Sequence, residues 1–367
     1  MLVYRNNCLI ADPFPIIFLC GSKYSPKSTS DKRIVLKRYI ENKFPEARAI
    51  ILEEHFVFAN SNKKYLAYDD IYLKGLAQVE ELASLFATRI VIIHESISTA
   101  AEIGMFASNT ETSRKVCLLV PDPFSIEEDK TGGFIKLSFL SKYAPEMKVN
   151  LIRYYPEIEV HRFSENKSDY YTFFHNNEIG HILGKQIDLF LFPSMKDASK
   201  HTRFTKAKYG KAHKSPEIVD YRIDEKEKTI FVDIHSDVLK GQLLSLLFVE
   251  EVRKELRKNK QIREHVSYLY EQYQVLVKNS ICDIEGKEYG SFVVKLSLKN
   301  SSCDVKQAIG YYLYMLQAAG FIGLEQKSRG NPSVRKVRFS TSFDQSLNQY
   351  ADLICESNGT EFGRLAL

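Results

Sequence analysis

The chain has no tryptophan, no Cys-x-x-Cys pair, no Gly-x-Gly-x-x-Gly and no apolar run of membrane-spanning length. Each absence excludes something. The six cysteines (Cys8, Cys20, Cys117, Cys282, Cys303, Cys355) follow no regular spacing, so neither a zinc site nor a disulfide framework is expected. Cys20 and Cys117 fall in or beside apolar runs, where a reduced thiol behaves as a small hydrophobe. Without a glycine fingerprint after any strand, a dinucleotide-binding Rossmann domain is disfavoured, although the layer architecture would look alike. The longest apolar runs fall far short of the roughly 18 residues that a membrane span needs. The expectation is a cytoplasmic protein with no membrane association, no bound metal and no resident cofactor.

What is present is ample for folding. The 367 residues are 44 % hydrophobic and 12 % aromatic, enough for real cores and, by length, for two domains. The net charge of +5 is too modest to imply nucleic acid by itself; its placement matters more. Ile16–Cys20 reads as a buried strand, Lys32–Asn42 as a helix, Ala49–Leu52 as a strand and Tyr68–Ala87 as an amphipathic helix. Strands follow at Arg89–His94, Arg114–Val120, Lys148–Tyr154 and Ile158–Phe163, and a helix at Tyr171–Phe192. This alternation predicts an α/β domain over residues 1–192: a parallel sheet, Rossmann-like in its layers, with helices on both faces.

Between Lys196 and Lys214 lie seven Lys/Arg residues, two histidines and one acid, Asp197. By composition, 193–236 reads as a basic linker or mobile loop; polyanion binding and plain solvation explain it equally well. The remainder, 237–367, reads as helical and winged-helix-like. Helices are expected at Val238–Leu256, around Ile262–Lys278 and at Val305–Ala318, the last capped by Asp304 and stopped by Gly320. Short strands at Phe321–Glu325 and Arg335–Phe339 flank a basic turn. Lys327, Arg329, Arg335, Lys336 and Arg338 occur there with no acid between Gln326 and Ser340, an electrostatic footprint for phosphate backbones. A winged helix used only for protein contacts would carry the same fold.

The chemistry concentrates at residues 96–108. After the strand Arg89–His94 come a polar turn and a helix, with Glu102 expected in its first turn. A carboxylate there sits at the mouth of an α/β sheet, where ligands bind, and the helix dipole would keep it ionised. A glutamate early in a helix is also a common cap, so position alone does not decide.

Thr99-Ala100-Ala101-Glu102-Ile103-Gly104 resembles the signature of nucleoside 2-deoxyribosyltransferase-like proteins. With Phe18-Leu19-Cys20-Gly21, Glu95-Ser96 and Glu102-Ile103-Gly104-Met105-Phe106, the chain looks most like the effectors of bacterial retrons. The resemblance implies that Glu102 is the nucleophile at an anomeric carbon. It implies a toxin acting on NAD or nucleotides, restrained by a reverse transcriptase and its branched RNA–DNA product. Nucleic acid would meet the C-terminal domain, and a homo-oligomer is compatible. Gly21 and Ser22 would admit substrate; Ser96, Ser98 and Thr99 would hydrogen-bond its hydroxyls or phosphates; Glu81 and Glu95 are candidate helpers. Arg89 departs from the pattern, standing where the resembling proteins often have Asp. With one well-placed carboxylate and only Glu95 and Glu81 as helpers, a leaving group that is already cationic, as in NAD, is favoured. The rival reading is a non-catalytic nucleotide sensor that docks nucleic acid or a reverse transcriptase.

Overall fold

The computed structural model describes residues 8–11, 14–21, 31–55, 71–94, 97–106, 110–121, 149–154, 179–196, 199–207, 213, 215–326 and 334–348. The chain divides into two compact units, and the division does not follow the expected boundaries. One unit is Phe14–His55 with Ala83–Asp197; the other joins Met1–Pro13, Phe56–Leu82 and Ala198–Leu367.

After β1 (Cys8–Ala11), which belongs to the second unit, the chain builds the first from β2 (Ile16–Gly21), β3 (Arg48–Ile50), β4 (Arg89–Ile93), β5 (Val116–Pro121) and β6 (Asn150–Tyr154). All neighbouring pairs are parallel, in the order β3-β2-β4-β5-β6. Strands buried on both faces must be apolar throughout, which is why β2 and β4 read as unbroken hydrophobic runs. On one face Ile17, Leu19, Val91, Ile93 and Leu119 pack with Val35, Leu36 and Ile40 of α1 (Lys32–Lys43). The short α2 (Leu52–His55) follows β3, and α3 (Leu76–Phe86) leads into β4. On the other face Phe18, Ile90, Ile92 and Leu118 are buried, as are Ile103 and Phe106 of α4 (Ile97–Phe106). Beyond α5 (Thr110–Ser113), α6 (His181–Lys196) adds Leu183, Ile187 and Leu191 to the α1 side. Gly184 lets α6 close on α1, because a Cβ there would lie 2.7 Å from the Tyr39 hydroxyl. The proposed strand at 158–163 lies outside the described residues.

The second unit overturns the linker expectation. Residues 193–236 include β7 (Ser199–Lys206), β8 (Ile218–Asp224) and β9 (Thr229–Ile234). With β1 and a later strand, they form a sheet in which β1–β7 and β8–β9 are antiparallel and β7–β8 is parallel. Composition misled because burial alternates along β7: Thr202 and Phe204 are buried, while Arg203 between them is exposed. Asp220, fully buried in β8, binds the Lys299 ammonium at 2.7 Å and the His213 backbone N–H at 2.8 Å.

The expected helix Val238–Leu256 is two, α7 (Ser236–Leu246) and α8 (Glu250–Leu256). Leu247, Phe248 and Val249 each donate to the carbonyl three residues back, tightening the turn until it ends. Val249 is extended, and Glu250 and Glu251 start a new helix at its electropositive end. Then come β10 (Lys260–Gln261), α9 (Ile262–Glu285), β11 (Val293–Leu298), α10 (Val305–Ala318), β12 (Ile322–Gln326) and β13 (Val334–Phe339). β11 runs parallel to β9, and β10, β13 and β12 make a separate antiparallel sheet in that order. Helix α10 has the expected bounds. Asp304 and Gln307 form a capping box, and Gly320 takes φ +75° in a Schellman turn closed by Phe321 N–H to the Leu316 carbonyl at 2.9 Å.

Helix α3 starts at Leu76, not Tyr68. Tyr72 instead docks on α10, its carbonyl accepting from Gln307 Nε2 at 2.9 Å while Lys306 lies 4.5 Å over its ring.

Candidate functional site

Numbered within their own unit, the five parallel strands have the order 2-1-3-4-5, so the chain reverses its direction of growth between β2 and β4. In open α/β sheets the crevice at the carboxyl ends of such a strand pair is where ligands bind. β2 ends there at Gly21 and β4 at Ile93, paired with each other. His94 continues from β4, its N–H bonded to the Leu119 carbonyl at 2.9 Å. Gly21 is required by a close approach: a Cβ would lie 2.9 Å from Arg33 Cδ. Arg33 is itself buried and held by Asp31, the cap of α1, with Nη2 to Oδ2 at 3.0 Å.

Glu102 is the sixth residue of α4, so it stands in the second turn and not the first. The helix begins at Ile97, so Ser98 and Thr99 are its second and third residues. The dipole effect fades within the first turn, so it is not what sets the state of Glu102. The side chain is half-buried and its Oε2 is shielded from solvent. Thr99, Ile103 and Phe106 form the buried stripe of α4, and Glu102 flanks it.

Of the other sequence-derived candidates, Thr99 has no exposed surface, and its hydroxyl lies 2.7 Å from His94 Nδ1. It therefore lies beneath the crevice, not on its wall. Ser98 is in the first turn of α4. Ser22, Glu95 and Ser96 lie outside the described residues. Glu81 belongs to the second unit, where its carboxylate accepts from Ser301 Oγ at 2.6 Å and from the Ser302 N–H at 2.6 Å. Those bonds make it a cap for the turn before α10, not a helper of Glu102. Arg89 opens β4 at the opposite end of the sheet, its Nε reaching the Phe190 carbonyl at 3.3 Å. The departure at Arg89 therefore touches the packing of α6 and not the crevice. His94 was missed: its sequence signal, a polar residue ending an apolar run, looks like any strand terminus.

The profile of the STM3845 retron effector protein family matches residues 29–324, most of the chain. The chain belongs to this family. Membership ties this retron effector to retron systems and to retron-based defence. No curated protein matches it.

The basic hairpin of the effector is less open than its sequence suggests. Arg335 is buried, and its carbonyl accepts from His265 Nε2 at 3.0 Å. Glu325, facing β13 from β12, pairs with both Lys336 and Arg338 at 2.9 Å. These ion pairs hold the Glu325 carboxyl below its ordinary range, Lys336 more than Arg338. A groove of about 330 Å³ beside them is lined by Arg257, Phe339 and Asp344. Lys327 and Arg329 lie outside the described residues. Among the described residues no cluster of His, Cys, Asp or Glu is arranged to hold a metal ion, and no helix is long and apolar enough to cross a membrane.

Proposed function

We propose that the parallel-sheet unit is a nucleoside deoxyribosyltransferase-like N-glycosidase acting on NAD or a related nucleotide. Glu102 attacks C1′ of the ribosyl group. The C1′–N bond breaks, and its electron pair neutralises the departing pyridinium nitrogen, so no proton donor is needed at that step. Water then attacks C1′ of the covalent glycosyl-enzyme, freeing the carboxylate and releasing one proton. The observation that supports this is that α4, which carries Glu102, follows β4 directly at the switch point between β2 and β4, with the Glu102 Oε2 shielded from solvent.

In the second unit, the succession β10, α9, α10 and the β12–β13 hairpin, closed as one antiparallel sheet, resembles a winged helix with β11 inserted. Its role would be to meet the restraining reverse transcriptase and its RNA–DNA product. Purified effector should release nicotinamide from NAD when freed from that restraint, and Glu102→Gln should abolish release with an unchanged melting curve. No base released from NAD or nucleosides, with or without the partner complex, would sink the glycosidase reading and leave the nucleotide sensor. Full activity in Glu102→Gln would move the chemistry elsewhere.

A further inference from the structure

We propose that the His94–Thr99 pair is a positioning element that fixes where α4 holds Glu102. The inference rests on the Glu102 reading above and asks what orients that carboxylate once the helix dipole is set aside. His94 is fixed to the sheet through its backbone, whose N–H binds the Leu119 carbonyl of β5. His94 is 5 % exposed, and its ring Nδ1 lies 2.7 Å from the Thr99 hydroxyl in the first turn of α4. Thr99 and Glu102 are three residues apart and so neighbours on one helix face. The brace therefore ties the carboxyl edge of the sheet to the turn of α4 directly beneath the nucleophile.

Packing alone does not supply this. Ile103 and Phe106 anchor the far half of α4 through apolar contacts, which are non-directional and tolerate small slides and rotations. A buried hydrogen bond has a preferred length and angle, and it fixes the first turn in one register. Both side chains are withdrawn from the crevice surface, so they act through Glu102 and not on the substrate. Thr99 accordingly serves as a positioning residue instead of a ligand for sugar hydroxyls.

The test uses the full chain and four substitutions. Thr99→Val keeps the shape and removes the hydroxyl; Thr99→Ser keeps the hydroxyl. His94→Leu removes the ring nitrogen; His94→Asn keeps a polar atom near the Nδ1 position. Misplacing a reacting group by about 1 Å costs on the order of 100-fold in rate. Thr99→Val and His94→Leu should therefore lower kcat for base release about 10- to 100-fold, with KM within about threefold, and Thr99→Ser should restore most of it. Hydrogen exchange gives a readout independent of turnover: amides of α4 should lose protection in Thr99→Val and keep it in Thr99→Ser. Unchanged α4 protection in Thr99→Val overturns the brace whatever the base-release result. Should Thr99→Val and His94→Leu fail to fold, loss of kcat in Thr99→Ser and His94→Asn equal to that in Glu102→Gln overturns it as well. Absence of base release by the wild type would instead strike the Glu102 reading, leaving the exchange result to judge the brace.

Discussion

Asp220→Asn is expected to destabilise the second unit by about 3–5 kcal/mol, the usual cost of removing one partner of a buried ion pair. Asp220 has no exposed surface, and the Lys299 side chain is 8 % exposed. An amide of equal size would leave that ammonium buried without a counter-charge. Its remaining bonds, to the carbonyls of Ile218 at 2.6 Å and His213 at 3.2 Å, are to dipoles only. The Asp220 carboxylate also lies 2.5 Å from His213 Nδ1, but that ring is 44 % exposed and adds little, because solvent screens it. For a unit of this size each kcal/mol shifts Tm by about 2–4 °C, so a fall of roughly 6–20 °C is expected by calorimetry of the full chain. Replacing both charges together, as Asp220→Leu with Lys299→Met, should recover most of the loss, since apolar replacements of buried pairs are often neutral. A single Asp220→Asn change below about 1 kcal/mol would refute the reasoning. It would mean that residues 215–234 are attached as loosely as a basic linker would be.

Two further outcomes follow from the second unit. Glu325→Gln should strengthen retention of nucleic acid and steepen its salt dependence by about one to two units of slope, because Lys336 and Arg338 lose their shared carboxylate. An unchanged salt titration would leave the hairpin as a protein-contact surface. Burial pushes the Glu81 carboxyl up, but hydrogen bonds from Ser301 and Ser302 outweigh it, so the net position is below the ordinary 4.5. A carboxyl lowered on folding contributes stability that is present above that value and lost as pH falls through the lower, folded one. The wild type should therefore lose stability below about pH 4.5 more steeply than Glu81→Gln, and parallel acid-titration curves would contradict this.

The two units differ in how far their sequences declare them. In the first, the central strands β2, β4 and β5 are buried on both faces, so the runs Ile16–Cys20 and Arg89–His94 mark themselves without reference to any partner. The order of the strands is also constrained, since short connections and right-handed crossovers leave few alternatives. In the second unit, β1 pairs with β7, Cys8 opposite Thr202, and Asp220 finds its counter-charge in Lys299, 79 residues away. No local window contains that information. Charge density in such a window masks the alternation, so these strands carry the composition of a linker. Helix α10 was legible to the residue because both of its ends are written locally, in Asp304 with Gln307 and in Gly320.

The site divides along the same line. Glu102 is visible because its motif is contiguous, and its place after a buried strand follows from the apolar run before it. Its setting is not visible, because polar residues at a strand–helix junction have two uses that look alike in sequence. Ser96, Ser98 and Thr99 suggest ligands for substrate hydroxyls or phosphates. A hydroxyl that is to face substrate must be accessible, whereas one that orients a helix must be buried and paired. Thr99 meets the second condition through His94, at the end of a strand that nothing but its apolarity had marked. A buried polar pair costs free energy unless both partners are satisfied, so it persists where one geometry must be specified over its neighbours. On the function proposed above, the turn that carries Glu102 is such a place, since a displacement of about 1 Å costs a reacting group on the order of 100-fold in rate.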